Sequence, residues 1–241
     1  MRPNHRAAPV QPVPFDKILD MTERPTTVRR PRARPAVRQF TAALVAGDAA
    51  GAREIADAHL EATHSRLAVV SDLLHPAQYE IGELWYQGRL GVAEEHRATA
   101  IVSRVAANLT PTPVDRPVRS GARCLLSAIS TEKHVVGLQL LAMTLEDEGW
   151  LVDVLQPPVP RAEMIRAVSS WRPDVVGLSA AYTSSLVHIE SAIADLKKLR
   201  VPVMVGGPLF NRAPGLWRVA GADAHGSDAR VTAVLMRRAL R

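Results

Sequence analysis

Apolar residues recur at helical spacing from about Ala36 to Leu109, and then the period changes. AVRQFTAALVAG reads as a helix closed by Gly47, and Asp48 is placed to cap DAAGAREIADAHLEAT. RLAVVSDLLHPAQYEIGELWYQG follows, with Pro76 as a break or first-turn residue, and EEHRATAIVSRVAANL is the last helix. Four or five amphipathic helices with short connections predict a helical bundle over 36–109. TPTPVDRPVRSG (110–121), rich in proline and without apolar period, reads as a linker. From Ala122 to Arg241, short apolar runs alternate with helical segments. The runs are 123–129, 151–156, 175–180, 202–207 and a weak 222–226; the helices lie near 135–148, 161–171, 185–199 and 228–240. This rhythm predicts an α/β domain with a doubly wound, flavodoxin-like sheet of five parallel strands behind an all-α cap. Ligands of such sheets bind beyond the carboxyl ends of the strands.

Charge and composition add three constraints. Residues 1–35 hold seven Arg and one Lys against three acids, together with seven of the 18 prolines. They read as an extended or disordered arm that carries most of the net charge of +6. Such an arm reads either as a solvated extension or as a segment that meets an acidic partner or nucleic acid, and it is too short for a helix-turn-helix domain with its own core. No apolar run is long enough to span a membrane. The single cysteine, Cys124, sits inside an apolar run, so a reducing cytoplasm is expected and a buried thiol with it. His59, His64 and His75 read as helix-surface or satisfied side chains, and the charges of LEDE and KKLR as solvated faces.

The stretch STEKHVVG (130–137) stands at the junction of the first strand and the next helix. His134 therefore falls on the ligand edge of the sheet. A neutral imidazole there can ligate a metal through one nitrogen, while an acceptor such as Glu132 fixes the other. Gly137 leaves room against the helix start.

EKHVVG resembles the D-x-H-x-x-G motif of cobalamin-binding domains, with Glu132 in place of the Asp. In that family the His is the lower axial ligand of cobalt and displaces the cofactor's own base. A serine motif and a Gly-Gly pair follow. Here 41 residues separate Gly137 from Ser179, and Gly206-Gly207 comes after. The resemblance covers 122–241 and implies that these residues hold cobalamin, with the glycines giving the nucleotide tail close backbone approach. Ala181 stands where the serine motif would have Leu.

In the bundle, Trp85 and the pair Glu95-His96 are separated by nine residues. That spacing is similar to the helical cap of the cobalamin-dependent photoreceptors of bacteria, and it implies that these three residues face the upper side of the corrin. Some members have a His directly after the Trp; here it is Tyr86. The resemblance implies a non-enzymatic light sensor that signals through changed upper cobalt ligation, cap movement or altered oligomerisation as a dimer or tetramer. A regulatory partner protein is expected, and direct DNA binding is doubtful. One variant adds a non-covalent bilin such as biliverdin. The alternatives are a corrinoid methyl-carrier subunit of a methyltransferase system, and cobalamin storage.

Overall fold

The computed structural model of the protein describes residues 35–109, 121–129, 135–156, 158–182 and 185–239. Residues 110–120 of the linker, the arm as far as residue 34, Glu132 and His134 lie outside them.

The chain enters at helix α1 (Pro35–Ala46), which begins one residue earlier than the apolar period predicts. Proline suits a first helical position because its missing N–H would be unpaired there anyway. Gly47, at φ +75°, ends the helix, and Asp48 caps α2 (Ala49–Thr63) by accepting from the Gly51 N–H at 2.9 Å. Ser65 then caps α3 (Arg66–Val69) through the Ala68 N–H. The chain does not break at Pro76. It runs from α3 through a π turn, Val70–Leu74, into α4 (His75–Tyr86). The cause is steric: a proline ring collides with the carbonyl four residues back, here that of Asp72. The wider turn, in which the His75 N–H reaches the Val70 carbonyl, accommodates the ring without ending the helix. Helix α5 (Val92–Asn108) completes a four-helix bundle. Its core is built from Phe40, Leu44, Leu73, Leu74, Ile81 and Val102, all fully buried. Each such side chain contributes about 2 kcal/mol of transfer free energy.

The second half forms β1 (Arg123–Ala128), α6 (Val136–Asp147), β2 (Leu151–Leu155), α7 (Arg161–Trp171), β3 (Val175–Ser179), α8 (Leu186–Lys198), β4 (Val203–Gly206), short helices α9 (Pro208–Arg212) and α10 (Leu216–Val219), β5 (Ala224–Gly226) and α11 (Ala229–Ala239). All five strands are parallel, in the order β2-β1-β3-β4-β5. The strands sit within a residue or two of the apolar runs, whereas α9 and α10 are too short to show a helical period and were not foreseen. Helices α6 and α11 cover one face, where Leu126 and Met204 meet Leu138, Leu145 and Met236. Helices α7 and α8 cover the other, where Val176 and Val205 meet Val168 and Ile193. Cys124 is buried on the first face, 3.8 Å from the Met236 sulfur, and burial pushes its thiol up to about 12.

The bundle packs on α6, whose Val136 and Leu140 belong to the bundle's own core. Arg66, 5% exposed, fixes that docking. Its guanidinium donates to Asp147 at 2.6 and 3.1 Å and to the Met143 carbonyl at 3.4 Å, with Glu146 at 3.6 Å. This corrects the expectation that the LEDE charges are simply solvated. A buried pair of this kind adds little net stability over apolar packing, but removing one partner strands a charge. It therefore sets orientation more than it adds stability. A second tie joins α11 to the π turn: Arg230 donates to Ser71 Oγ at 2.6 Å and Asp72 Oδ1 at 2.8 Å. Among the described residues, no helix is long and apolar enough to cross a membrane.

A candidate cobalamin cleft

Register decides the shape of the ligand edge. The last full rung of the sheet reads Ala128, Ser179, Gly206, Gly226 across β1, β3, β4 and β5. Two residues back on the same face it reads Leu126, Gly177, Met204, Ala224. Small residues at Gly177, Gly206 and Gly226 draw the sheet close to α11, and Thr232 and Met236 of that helix face them across a narrow slot. A Cβ on Gly177 would stand 2.6 Å from Leu126 Cδ2, and one on Gly226 would collide with Thr232. Gly207 follows at φ +95°, and a Cβ there would lie 2.5 Å from the Ala180 carbonyl and 2.9 Å from Ser179 Oγ. Only glycine satisfies that conformation and that contact.

The slot opens into a cleft of about 210 Å³ between the carboxyl edge of the sheet and the bundle. Its upper wall is one stripe of α4, including His75, Gln78, Tyr79, Gly82 and Trp85, with Glu95 and Thr99 from α5. Gly137 lies on its lower side, in the first turn of α6. Trp85 meets Tyr182 edge to face across the two halves, ring centres 5.9 Å apart. Beside them Arg212 pairs with Glu83 at 3.5 Å, and its guanidinium carbon lies 3.9 Å from the centre of the Tyr86 ring.

The structure brings together Trp85, Glu95, Gly137, Ser179, Gly206 and Gly207 on this one cleft. His96 stands apart: its side chain is 63% exposed, 3.6 Å from Glu95, and it is absent from the cleft wall. Glu132 and His134 precede the wall residue Val136 in sequence, outside the described residues. Glu95, although buried, is held by a chain of hydrogen bonds: Gln78 Nε2 donates to Thr99 Oγ1 at 2.8 Å, and Thr99 donates to Glu95 Oε1 at 2.7 Å.

Sequence reasoning missed Gly82, His75 and Gln78. Gly82 carried a signal, because a helix-interior glycine costs about 1 kcal/mol relative to alanine and nothing local repays it. A Cβ there, and one on Gly137, would meet nothing within 4 Å, so both glycines leave open space in the cleft. His75 corrects the expectation of a satisfied surface histidine, since its Nε2 is shielded and unpartnered. The same is true of His59 Nε2, whereas His64 is exposed at the left-handed end of α2.

Burial pushes the His75 imidazole down from 6.5 to about 4, against a smaller upward pull from Asp228. The unfolded chain takes up this proton near pH 6.5, while the folded protein resists until about pH 4. Stability held above that window is therefore lost as pH falls through it, on the order of 3 kcal/mol for the full shift. Burial lowers His225 as well, with the same sign. Urea unfolding between pH 7 and pH 4 is expected to show a steep fall that His75→Leu flattens; parallel curves would contradict this.

The residues present fit a corrinoid. Gly177, Gly206 and Gly226 line one end of the cleft with bare backbone, Gly82 and Gly137 leave open space at its walls, and the shielded polar atoms of His75 and Gln78 lack partners. Comparison with known proteins points the same way. Two family models, each described as a B12 binding domain, match residues 36–110 and 122–234. The HTH-type transcriptional repressor CarH of Myxococcus xanthus is 34% identical over 145 residues, 58% of this chain and 47% of the repressor, so the chain spans about half of that relative's length. The trimethylamine corrinoid protein of Methanosarcina barkeri is 25% identical over 196 residues, 78% of this chain and 89% of that protein. Among solved structures, the monomethylamine corrinoid protein of the same organism shares the fold with a TM-score of 0.69 at 16% identity, covering 84% of this chain and 98% of its own. The two B12 binding domain matches, which together span most of the chain, mean that the chain belongs to the B12-binding domain family.

Proposed function

We propose that the protein is a cobalamin-binding, light-responsive regulator. The observation that carries the reading is the convergence of Trp85 and Glu95 from the bundle with Gly137, Ser179, Gly206 and Gly207 from the sheet edge on a single cleft. His134 would hold the cobalt of a bound cobalamin, and Glu132 would be the acceptor for its second ring nitrogen. Ser179 and the pair Gly206-Gly207, which line the cleft, would hold its nucleotide tail. When bound, cobalamin supplies a light-sensitive upper cobalt ligation.

The chain's own residues turn that into a signal. Trp85 and Tyr182 close the upper side, and the Arg212 cluster and the Arg230 tie hold the bundle to the sheet domain. A change in what fills the space under Trp85 alters the contacts favouring the closed cap, and a differential of about 1–3 kcal/mol shifts its population. Output passes to a homo-oligomer interface or a regulatory partner. His96 faces solvent rather than the cleft and is better placed to report cap position than to touch the corrin. The reading includes no covalent bilin: the single cysteine is buried and its thiol is pushed up to about 12.

The test is absorbance and light scattering of purified, cobalamin-loaded protein in the dark and after illumination. The expected result is a spectral change accompanied by a change in assembly or hydrodynamic size. Spectra and size that ignore light in every cobalamin form would refute light sensing while leaving binding intact. A corrinoid methyl-carrier remains the second reading, favoured by the likeness to the trimethylamine corrinoid protein over most of both chains. Methyl transfer to or from the bound corrinoid by a partner enzyme would establish it.

A further inference from the structure

His75 and Gln78 stand one turn apart on α4, share a face of that helix and line the cleft. The Nε2 atom of His75 and the Oε1 atom of Gln78 are both shielded from solvent and without a hydrogen-bond partner. Network logic fixes which way the Gln78 amide faces. Thr99 has one hydroxyl proton and gives it to Glu95 Oε1, so its oxygen must accept from Gln78, and only the amide nitrogen can donate. Oε1 is thus left as an acceptor with no donor. Burial keeps the His75 ring neutral through the physiological range. Two such atoms on one helix face are costly to leave unpaired, and a ligand that pairs them recovers that cost.

We propose that His75 and Gln78 form a carboxamide-reading edge of the cleft. Gln78 Oε1 accepts an N–H from a primary amide on the ligand's rim, and His75 Nε2 takes a second hydrogen bond from the same rim. The inference rests on the reading that the cleft holds a corrinoid, whose periphery carries carboxamides, and adds a basis for selectivity against tetrapyrroles that carry carboxylates. A carboxylate in this place offers only acceptors to Gln78 Oε1 and leaves it unpaired. Asp228, close enough to act electrostatically on His75, adds like charge. Arg212, the one guanidinium of the cleft wall among the described residues, is already engaged by Glu83 and Tyr86.

The experiment compares full-length protein binding to cobalamin with binding to its monocarboxylate isomers, each having one peripheral carboxamide hydrolysed. Wild type is expected to bind one isomer about tenfold more weakly than cobalamin, and Gln78→Leu to shrink that gap to about twofold. Gln78→Glu, which retains an acceptor, keeps or widens the gap. His75→Phe narrows it in part, with a thermal melt checking the fold. Equal binding of every isomer by wild type overturns the proposal, as does a gap that Gln78→Leu leaves unchanged. Failure of wild type to bind cobalamin itself overturns the underlying reading and this inference with it.

Discussion

Replacing Gly82 with leucine is expected to raise the protein's stability slightly and to weaken cobalamin binding by about 100-fold, ~2.7 kcal/mol. The two effects have opposite signs and separate causes. Gly82 lies inside α4, where leucine is the better helix former by about 1 kcal/mol. A Cβ there would meet nothing within 4 Å in the folded protein, so the side chain starts into open space. The added side chain instead projects into the cleft that Gly82 lines. A ligand filling that space then meets an overpacked wall, and overpacking costs about 1–3 kcal/mol. Gly137→Leu works from the lower side by the same logic, because a Cβ there also meets nothing within 4 Å. Thermal melts and titration with cobalamin check both variants. Binding unaffected by either substitution would mean that the ligand lies elsewhere. Lost binding with a collapsed melting temperature would mean that the glycines serve the fold rather than the site.

The second large effect is expected at His134. His134→Ala removes the proposed cobalt ligand. Affinity should fall by more than the ~10–100-fold that loss of a supporting hydrogen-bond partner costs at metal sites. Glu132→Gln is the milder companion, within that range, because it weakens the orientation of the imidazole without removing it. Any cofactor that still binds His134→Ala should show the absorbance of cobalamin carrying its own base. Unchanged affinity and colour would place the cobalt ligand elsewhere in the chain.

Much of this protein is written in local sequence. The change from helical to alternating period near residue 122 gives the order of bundle and sheet, and the strand runs end close to Ala128, Ser179, Gly206 and Gly226. Ser179 and the glycines are legible because their chemistry lies at strand ends, which a parallel sheet brings into one row. Trp85 and Glu95 stand out only through the resemblance to the photoreceptor cap, and their neighbour His96 turns outward because adjacent helix positions face different ways. Other features depend on tertiary contacts that no local pattern encodes. Asp147 reads as surface charge until Arg66, 81 positions away, is seen to reach it. His75 and Gln78 read as ordinary helix residues until the sheet edge closes over them. Pro76 reads as a break or a first-turn residue, and the structure places it in the first turn of α4, where the preceding π turn absorbs the ring and the helix continues.

The most direct test of the central claim is electron paramagnetic resonance of the cobalt(II) form, bound to protein grown on the heavy stable isotope of nitrogen and loaded with unlabelled cobalamin. A nitrogen on the cobalt axis splits each cobalt line according to its nuclear spin, giving a doublet for the labelled protein's imidazole and a triplet for the cofactor's own base. The account predicts doublets that disappear in His134→Ala. Triplets in the wild-type protein would show that the cofactor's own base is bound to cobalt, and would contradict the account.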